Sequence, residues 1–258
     1  MRLHHRFDGP GDASVLALPS SLGTTTELWD ANVLAWSETL RVLRYDQRGH
    51  GGSEVPPTPY SVEDLGRDFV SLLDELGIER VSFCGLSLGG ATAMWLAANV
   101  PARIDRLVLA CTSPRFGDPD GWLDRAAIVR EKGLETIADT VLERWFTPRF
   151  AREHPEVPAR FRELLVTTPR EGYAGCCEAL AVWDFRGELG RIEAPTLVIA
   201  GAEDTAAPPD HSRLIADRIS KASLVVLPGA AHLGNVEPAD AFSSLVTEHL
   251  ATSILEVA

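Results

Sequence analysis

The chain lacks any long apolar run, any internal repeat and any low-complexity linker. No stretch approaches the length needed to cross a bilayer, and residues 1–8 are too polar to form the apolar region of a signal peptide. The four cysteines have neither the spacing of a disulfide framework nor that of a zinc site. We therefore expect a cytoplasmic protein without a disulfide framework.

Positive charge is scarce as well. Lysine and arginine number 24 against 37 aspartates and glutamates, which gives a net charge of -13. A surface of that sign repels nucleic acid and anionic membranes, so neither is expected as a partner, although a local basic pocket is compatible with it. The length of 258 residues suffices for a sizeable core. The sequence does not determine the oligomeric state, and a homo-oligomer is compatible with it.

Short apolar strands alternate with amphipathic helices early in the chain and again near its end. This alternation predicts an α/β fold with a mostly parallel, doubly wound sheet that is covered on both faces. Between residues 117 and 190 the strand signal disappears and helical segments follow one another. We therefore predict a core of residues 1–116 and 191–258 with an inserted helical cap of residues 117–190. The strands are expected at residues 3–7, 14–18 and 40–45, from residue 81 into the glycine pattern at residue 85, and at residues 106–110, 196–200 and 223–227.

The fourth of these strands runs into a Gly-x-Ser-x-Gly pattern at residues 85–89 and then into a helix. A serine on so sharp a turn sits at strained backbone angles, so the residues two before and two after it must be small, and Gly85 and Gly89 meet that need. The turn also aims the first amides of the new helix at an oxygen that becomes negative beside the serine. Although the pattern is weak alone, it makes Ser87 a candidate nucleophile.

A serine hydroxyl is a poor nucleophile at neutral pH and needs a base, normally a histidine that a carboxylate orients. His232 follows the last predicted strand, at the carboxyl edge of the sheet where Ser87 also lies. Asp204 follows the preceding strand and completes the order Ser, Asp, His. His50, in a glycine-rich loop at the same edge, is the rival base, and Glu203 is the alternative acid. We predict a triad of Ser87, His232 and Asp204, because three such residues at three strand ends seldom coincide by chance.

These motifs resemble the α/β-hydrolase superfamily over the whole chain and, within it, the 3-oxoadipate enol-lactonases. The cap segments are the more specific part of the resemblance, because caps vary with substrate while the serine turn does not. The narrower resemblance is carried by residues 20–24, 43–51, 83–90, 144–147 and 171–179.

The chain departs from the usual enol-lactonase pattern at three places beside the predicted pocket. Ser20 stands where the family usually has Asn, Leu88 where it usually has Met, and Leu-Gly at residues 233–234 where it usually has Ile-Ser. These changes bear on substrate detail rather than on the reaction.

The resemblance implies hydrolysis of a small anionic enol-lactone to 3-oxoadipate in aromatic-compound degradation, with no metal or organic cofactor. Ser87 would attack the ring carbonyl, His232 would take the proton, and Asp204 would fix the imidazole tautomer. The oxyanion would lie between the backbone amides of Leu88 and Leu22, since Leu22 follows the Ser-Ser pair that replaces the commoner His-Gly.

An acidic protein that binds an anionic lactone needs a local cation. Arg144 is the predicted partner of the substrate carboxylate and Trp145 the predicted cover of the ring, and a solvated arginine beside a core tryptophan is the alternative. Arg48 is interpreted as a tie between its loop and the sheet. Trp122 and Trp183 are interpreted as packing residues of the cap.

Two other functions stay open. Another cofactor-free serine hydrolase of the same fold, acting on a different lactone, a small ester or a carbon–carbon bond beside a ketone, would carry the same nucleophile, acid and base. A non-catalytic receptor of this fold would keep the pocket and release no product, although an intact triad argues against it.

Overall fold

Seven strands form the sheet in the computed structural model, which describes residues 1–251. They are β1 His5–Asp8, β2 Val15–Pro19, β3 Arg41–Tyr45, β4 Val81–Leu86, β5 Ile104–Ala110, β6 Thr196–Gly201 and β7 Ala222–Leu227. Their order across the sheet is β1-β3-β2-β4-β5-β6-β7, and each neighbouring pair is parallel except β1 with β3. The predicted mostly parallel α/β sheet is confirmed.

The helices cover both faces of this sheet. β6 is buried at all of its residues, and a strand can be buried at successive positions only when both faces are covered. Among residues 1–251 no helix is long and apolar enough to span a membrane. The helices are α1 Asp30–Ser37, α2 Val62–Glu75, α3 Leu88–Asn99, α4 Pro119–Lys132, α5 Ala138–Trp145, α6 Pro148–Glu153, α7 Glu156–Val166, α8 Arg170–Ala181, α9 Pro209–Arg218 and α10 Ala239–Ala251.

Helices α4 to α8 lie between β5 and β6, in the stretch 117–190 that we call the cap. α4 packs along α8, and α8 also touches α2. Gly172 of α8 lies so close to Gly49, in the loop after β3, that a Cβ on either glycine would overlap the backbone of the other. The cap is therefore seated directly on a loop at the carboxyl edge of the sheet.

Candidate active site

Ser87 sits between β4 and α3 with φ 54° and ψ -115°, in a backbone region that residues other than glycine seldom adopt. Such a conformation costs about 1–3 kcal/mol and persists only where the surroundings enforce it. Here the Ser87 N–H donates to the carbonyl of Ala110 at 3.0 Å, and the Ser87 carbonyl accepts from Thr112 Oγ1 at 2.7 Å. The end of β5 thus holds the serine in its strained turn.

The glycines around Ser87 are required by close contacts. A Cβ on Gly85 would overlap the carbonyl of Gly89 and lie 2.8 Å from the amide nitrogen of Gly90. A Cβ on Gly89 would lie 2.8 Å from the ring of Pro19. The Gly89 and Gly90 atoms that a Cβ on Gly85 would meet belong to the backbone and cannot rotate away. These contacts explain why the residue two before Ser87 must be small.

Asp204 and His232 form a buried pair after β6 and β7. His232 Nδ1 lies 2.8 Å from Asp204 Oδ2, and the two side chains are 7% and 0% exposed. Asp204 Oδ1 accepts from the amides of Ala206 and Ala207 at 2.8 and 2.9 Å. With both carboxylate oxygens engaged, Asp204 favours the proton on Nδ1 and leaves Nε2 of the neutral ring as an acceptor.

The same contacts set the charge of Asp204. Burial by itself raises the pKa of this carboxyl, but the charge of His232, its hydrogen bond and the two backbone amides outweigh burial, so the pKa of Asp204 lies below its ordinary value. Asp204 is therefore ionised at neutral pH and can stabilise an imidazolium at His232.

A cavity of about 370 Å³ opens onto Ser87 and His232. Leu22, Arg144 and Trp145 line the same cavity. The structure thus brings together five of the seven residues that the sequence singles out, with Asp204 bonded to His232 outside the lining and Leu88 next to Ser87 at the start of α3.

The amides of Leu22 and Leu88 are the predicted oxyanion donors. Leu88 is the first residue of α3, and the first amides of a helix have no acceptor within it. Within residues 1–251, neither amide is used in a hydrogen bond to another residue. Both are therefore free to donate to an oxygen bound beside Ser87.

His50, the rival base, is engaged elsewhere. Its Nε2 accepts the amide N–H of Gly23 at 2.9 Å, so Nδ1 carries the proton and donates it to the carbonyl of Arg48 at 3.1 Å. The ring is fully buried, and desolvation holds the pKa of His50 below its ordinary value. His50 does not line the cavity, and both of its ring nitrogens are used in hydrogen bonds to the backbone.

The cap is bonded to the loop that carries His232. The amides of His232 and Leu233 donate to the carbonyls of Arg144 and Trp145 at 3.4 and 3.0 Å. The Glu237 carboxylate also accepts a hydrogen bond, at 2.7 Å, from the cap amide two residues after Trp145. Sequence reasoning did not find this connection, which joins the predicted substrate-binding segment directly to the predicted base.

Arg125 is a cavity residue that sequence reasoning missed. It is half-buried on α4, its guanidinium lies 4.8 Å from the ring centroid of Trp122, and its charge partly offsets the rise that burial causes in the pKa of Tyr173. Arg144, by contrast, is exposed although it lines the cavity. Arg144 therefore lies beside the cavity, where the sequence predicts it, but its side chain is too exposed to form a buried anion site.

The two cavity arginines differ from their neighbours in their ion pairs. Arg130, on the same helix as Arg125, is bound by Glu171 and Glu178. Neither Arg125 nor Arg144 forms an ion pair with a carboxylate in the described part of the chain, although Asp118 also lines the cavity. Within residues 1–251, two positive charges thus face the cavity without a bonded counter-ion.

Three further interpretations can be compared with the structure. Arg48 Nε lies 2.6 Å from Asp68 Oδ2 on α2, outside the cavity lining, so this ion pair ties the loop to a helix rather than to the sheet. Trp183 stacks on Phe185 within the cap. Trp122 packs against the core and edge-to-face on Phe116 at a centroid distance of 6.4 Å, which fits its interpretation as a packing residue, and it also lines the cavity. Residues 1–251 contain no group of three His, Cys, Asp or Glu side chains that could hold a metal ion.

A family model described as the alpha/beta hydrolase fold matches residues 18–239. The chain belongs to the α/β-hydrolase family. It is 40% identical to 3-oxoadipate enol-lactonase 2 of Acinetobacter baylyi over 95% of this chain and 91% of that protein. The crystal structure of the enol-lactonase from Burkholderia xenovorans LB400 is 45% identical, with a TM-score of 0.95 over 97% of this chain and 96% of that one. The predicted resemblance to enol-lactonases is therefore confirmed, and the chain is a hydrolase.

A more distant relative of this hydrolase carries a different name. "Putative carbamate hydrolase RutD" of Stutzerimonas stutzeri is 30% identical over 99% of this chain and 98% of that protein. Both relatives are named as hydrolases but for different substrates, so the choice of substrate has to be argued from the cavity.

Proposed function

We propose that this hydrolase opens the ring of 3-oxoadipate enol-lactone to give 3-oxoadipate, in the β-ketoadipate route of aromatic-compound degradation. The observation that carries this proposal is the cavity of about 370 Å³, which combines Ser87 and His232 with two arginines that have no bonded carboxylate among residues 1–251. A small lactone with a carboxylate arm matches both the nucleophile and the charge. The names of the enol-lactonase relatives point to the same substrate.

In the first half of the proposed reaction, Ser87 Oγ adds to the ring carbonyl while His232 Nε2 takes its proton and Asp204 stabilises the imidazolium. The negative oxygen of the tetrahedral intermediate accepts hydrogen bonds from the amides of Leu22 and Leu88. Collapse breaks the ring C–O bond, and His232 passes the proton it took from Ser87 to the departing enol oxygen, which leaves an acyl-enzyme and a neutral imidazole. The leaving enol is far less basic than an alkoxide, so it needs little proton donation, and its carbon chain keeps it attached to the acyl group.

In the second half, a water molecule adds to the acyl carbonyl while His232 takes its proton. The new tetrahedral intermediate expels Ser87 Oγ, which regains its proton from His232. The product is a dicarboxylate whose enol tautomerises to the ketone. One water is consumed and no electron is transferred, so the residues of this chain suffice for every step.

Arg125 is better placed than Arg144 to hold the substrate carboxylate. Its contact with the Trp122 ring orients the guanidinium before any ligand binds, and partial burial strengthens a charge-assisted hydrogen bond. Arg144 is exposed, and water screens its charge. We therefore propose Arg125 as the main carboxylate partner, with Arg144 in the secondary role.

Replacing Arg125 by glutamine is expected to raise KM for the carboxylated enol-lactone about 10- to 150-fold, since a hydrogen bond to a charged group contributes about 1.5–3 kcal/mol. KM for a neutral enol-lactone of the same ring size is expected to change little. Arg144→Gln is expected to produce a smaller rise. Steady-state kinetics with both lactones measure the three effects.

Arg152→Gln is the matched control, because Arg152 is an exposed cap arginine that does not line the cavity. It should leave both KM values unchanged. If Arg125→Gln raised KM for the neutral lactone as much as for the carboxylated one, the residue would be supporting the shape of the cavity and not binding the carboxylate.

Replacing Asp204 by asparagine is expected to lower kcat about 10⁴-fold. Because Asp204 Oδ1 is held by two backbone amides, asparagine would keep its oxygen there and turn its NH₂ group toward His232. That donor favours the ring tautomer with the proton on Nε2, which cannot accept a proton from Ser87. Initial rates on the enol-lactone or on a simple phenyl ester measure the loss.

Glu203→Gln tests the alternative acid with the same chemical change. Glu203 is adjacent and exposed, so kcat should stay within about twofold of wild type. A large loss in Glu203→Gln together with a small one in Asp204→Asn would reverse the assignment of the acid.

The substrate proposal is tested by offering the purified chain three classes of compound at matched concentrations: the carboxylated enol-lactone, a small carbamate and a set of neutral phenyl esters. We expect the highest kcat/KM for the enol-lactone. A higher value for the carbamate would favour the activity for which the more distant relative is named. Turnover of esters with no loss of the enol-lactone would indicate another serine hydrolase of this fold.

A further inference from the structure

We propose that Thr24 is a positioning residue that orients the Leu22 amide as an oxyanion donor, with His50 holding the far end of the same turn. This role presupposes the serine mechanism proposed above. It concerns the turn of residues 20–24 that follows β2, where Leu22 lines the cavity and Thr24 is fully buried.

Thr24 holds the peptide unit that contains the Leu22 N–H. The carbonyl of Ser21 belongs to that unit, and it accepts from both the amide and the hydroxyl of Thr24, each at 3.1 Å. Because a trans peptide is planar, its C=O and N–H point in opposite directions. Two bonds that draw the oxygen toward Thr24 therefore turn the Leu22 N–H to the other side of the peptide.

The peptide unit before this one is fixed at both ends. The carbonyl of Ser20 accepts from Gln47 Nε2 at 2.7 Å, and the Ser21 N–H donates to Thr24 Oγ1 at 2.7 Å. The Thr24 hydroxyl thus accepts one hydrogen bond and donates another within the turn. Loss of the hydroxyl would therefore remove one of the two hydrogen bonds that hold each of these neighbouring peptide units.

The peptide unit after it is fixed by His50, whose Nε2 accepts the Gly23 N–H at 2.9 Å. Of the amides of residues 20–24, those of Ser20, Ser21, Gly23 and Thr24 each have an acceptor, and in the described part of the chain that of Leu22 has none. An amide held in place with its hydrogen unused costs no reorganisation when negative charge develops, which is what an oxyanion donor requires.

Thr24→Val removes the hydroxyl and keeps the shape of the side chain. We expect kcat on a neutral phenyl ester to fall about 10- to 100-fold with KM nearly unchanged, less than the 10²- to 10³-fold loss for a donor removed outright. The inhibition constant of phenylboronic acid should rise by the same factor, since its tetrahedral adduct with Ser87 places an oxygen at the same donor. Thr24→Ser, which restores the hydroxyl, should recover both values.

Thr196→Val is the matched control. Thr196 is equally buried, but its hydroxyl donates to the carbonyl of Ala194 at 2.8 Å, at the end of β6 away from the cavity. It should lower Tm without changing kcat or boronate affinity. If Thr24→Val did not fold, His50→Gln and His50→Leu would make the same comparison, because glutamine can accept from Gly23 and leucine cannot.

Wild-type kcat and boronate affinity in a folded Thr24→Val, or the same losses in Thr196→Val, would overturn this role of Thr24. The two probes do not depend on the lactone. A chain that reacts with the ester and the boronate but leaves the enol-lactone unchanged would disprove the substrate proposal and leave the role of Thr24 standing. A wild type inert to both probes would overturn the oxyanion donor together with the nucleophile.

Discussion

Ser87→Ala is expected to abolish covalent labelling by an organofluorophosphonate and to lower kcat on esters about 10⁶-fold. Alanine offers no oxygen to attack the carbonyl or the phosphorus. The free amides of Leu22 and Leu88 are retained in the variant, so a small acceleration over buffer should persist. Labelling followed by intact-protein mass spectrometry, and initial ester rates, measure the two effects.

Ser113→Ala is the control for this prediction. Ser113 is also buried, but it hydrogen-bonds the backbone of Arg115 and does not line the cavity of Ser87. The control should label at the wild-type rate. Undiminished labelling of Ser87→Ala would place the nucleophile elsewhere in the chain.

His232→Ala is expected to cause a loss of about the same size, near 10⁶-fold in kcat, because a serine and its base act as one unit. Without the imidazole, no group beside Ser87 can take its proton, and the ionised Asp204 loses its buried partner. The binding of an uncharged inhibitor should be affected much less than the rate. Single-turnover kinetics separate the two.

His211 provides the matched histidine control. It is half-buried at the start of α9, burial holds its pKa below the ordinary value, and the charge of Asp204 reaches it. It lines a separate cleft and has no bond to Asp204. His211→Ala should therefore keep most of kcat. A large loss in His211→Ala and a small one in His232→Ala would exchange their roles.

Much of the fold follows from local sequence. The buried strands carry continuous apolar stretches, so the observed β2 and β6 begin or end within one residue of the predicted ones. The approach of Ser87, Asp204 and His232 is predictable for a related reason. Each follows a strand of one parallel sheet, and the carboxyl ends of parallel strands meet at one edge.

Other parts of the site have no local signal. On α4, Arg125 has the charged neighbours of an ordinary solvated face, and the packing of α4 along α8 brings it over the cavity beside Tyr173. His50 looks like a base from its loop, and only its contact with Gly23, 27 residues earlier, shows what its ring nitrogens bind. The bond from Leu233 to Trp145 also joins distant segments. Periodicity and motif spacing describe single elements and cannot supply such pairings.

The most direct test of the account is the loss of enol absorbance when 3-oxoadipate enol-lactone is added to wild type, to Ser87→Ala and to buffer alone. We predict rapid loss with wild type and formation of one 3-oxoadipate per lactone consumed. With Ser87→Ala the loss should fall to nearly the rate in buffer. Wild type no faster than buffer would contradict the proposed substrate, and equal rates for wild type and Ser87→Ala would contradict the proposed nucleophile.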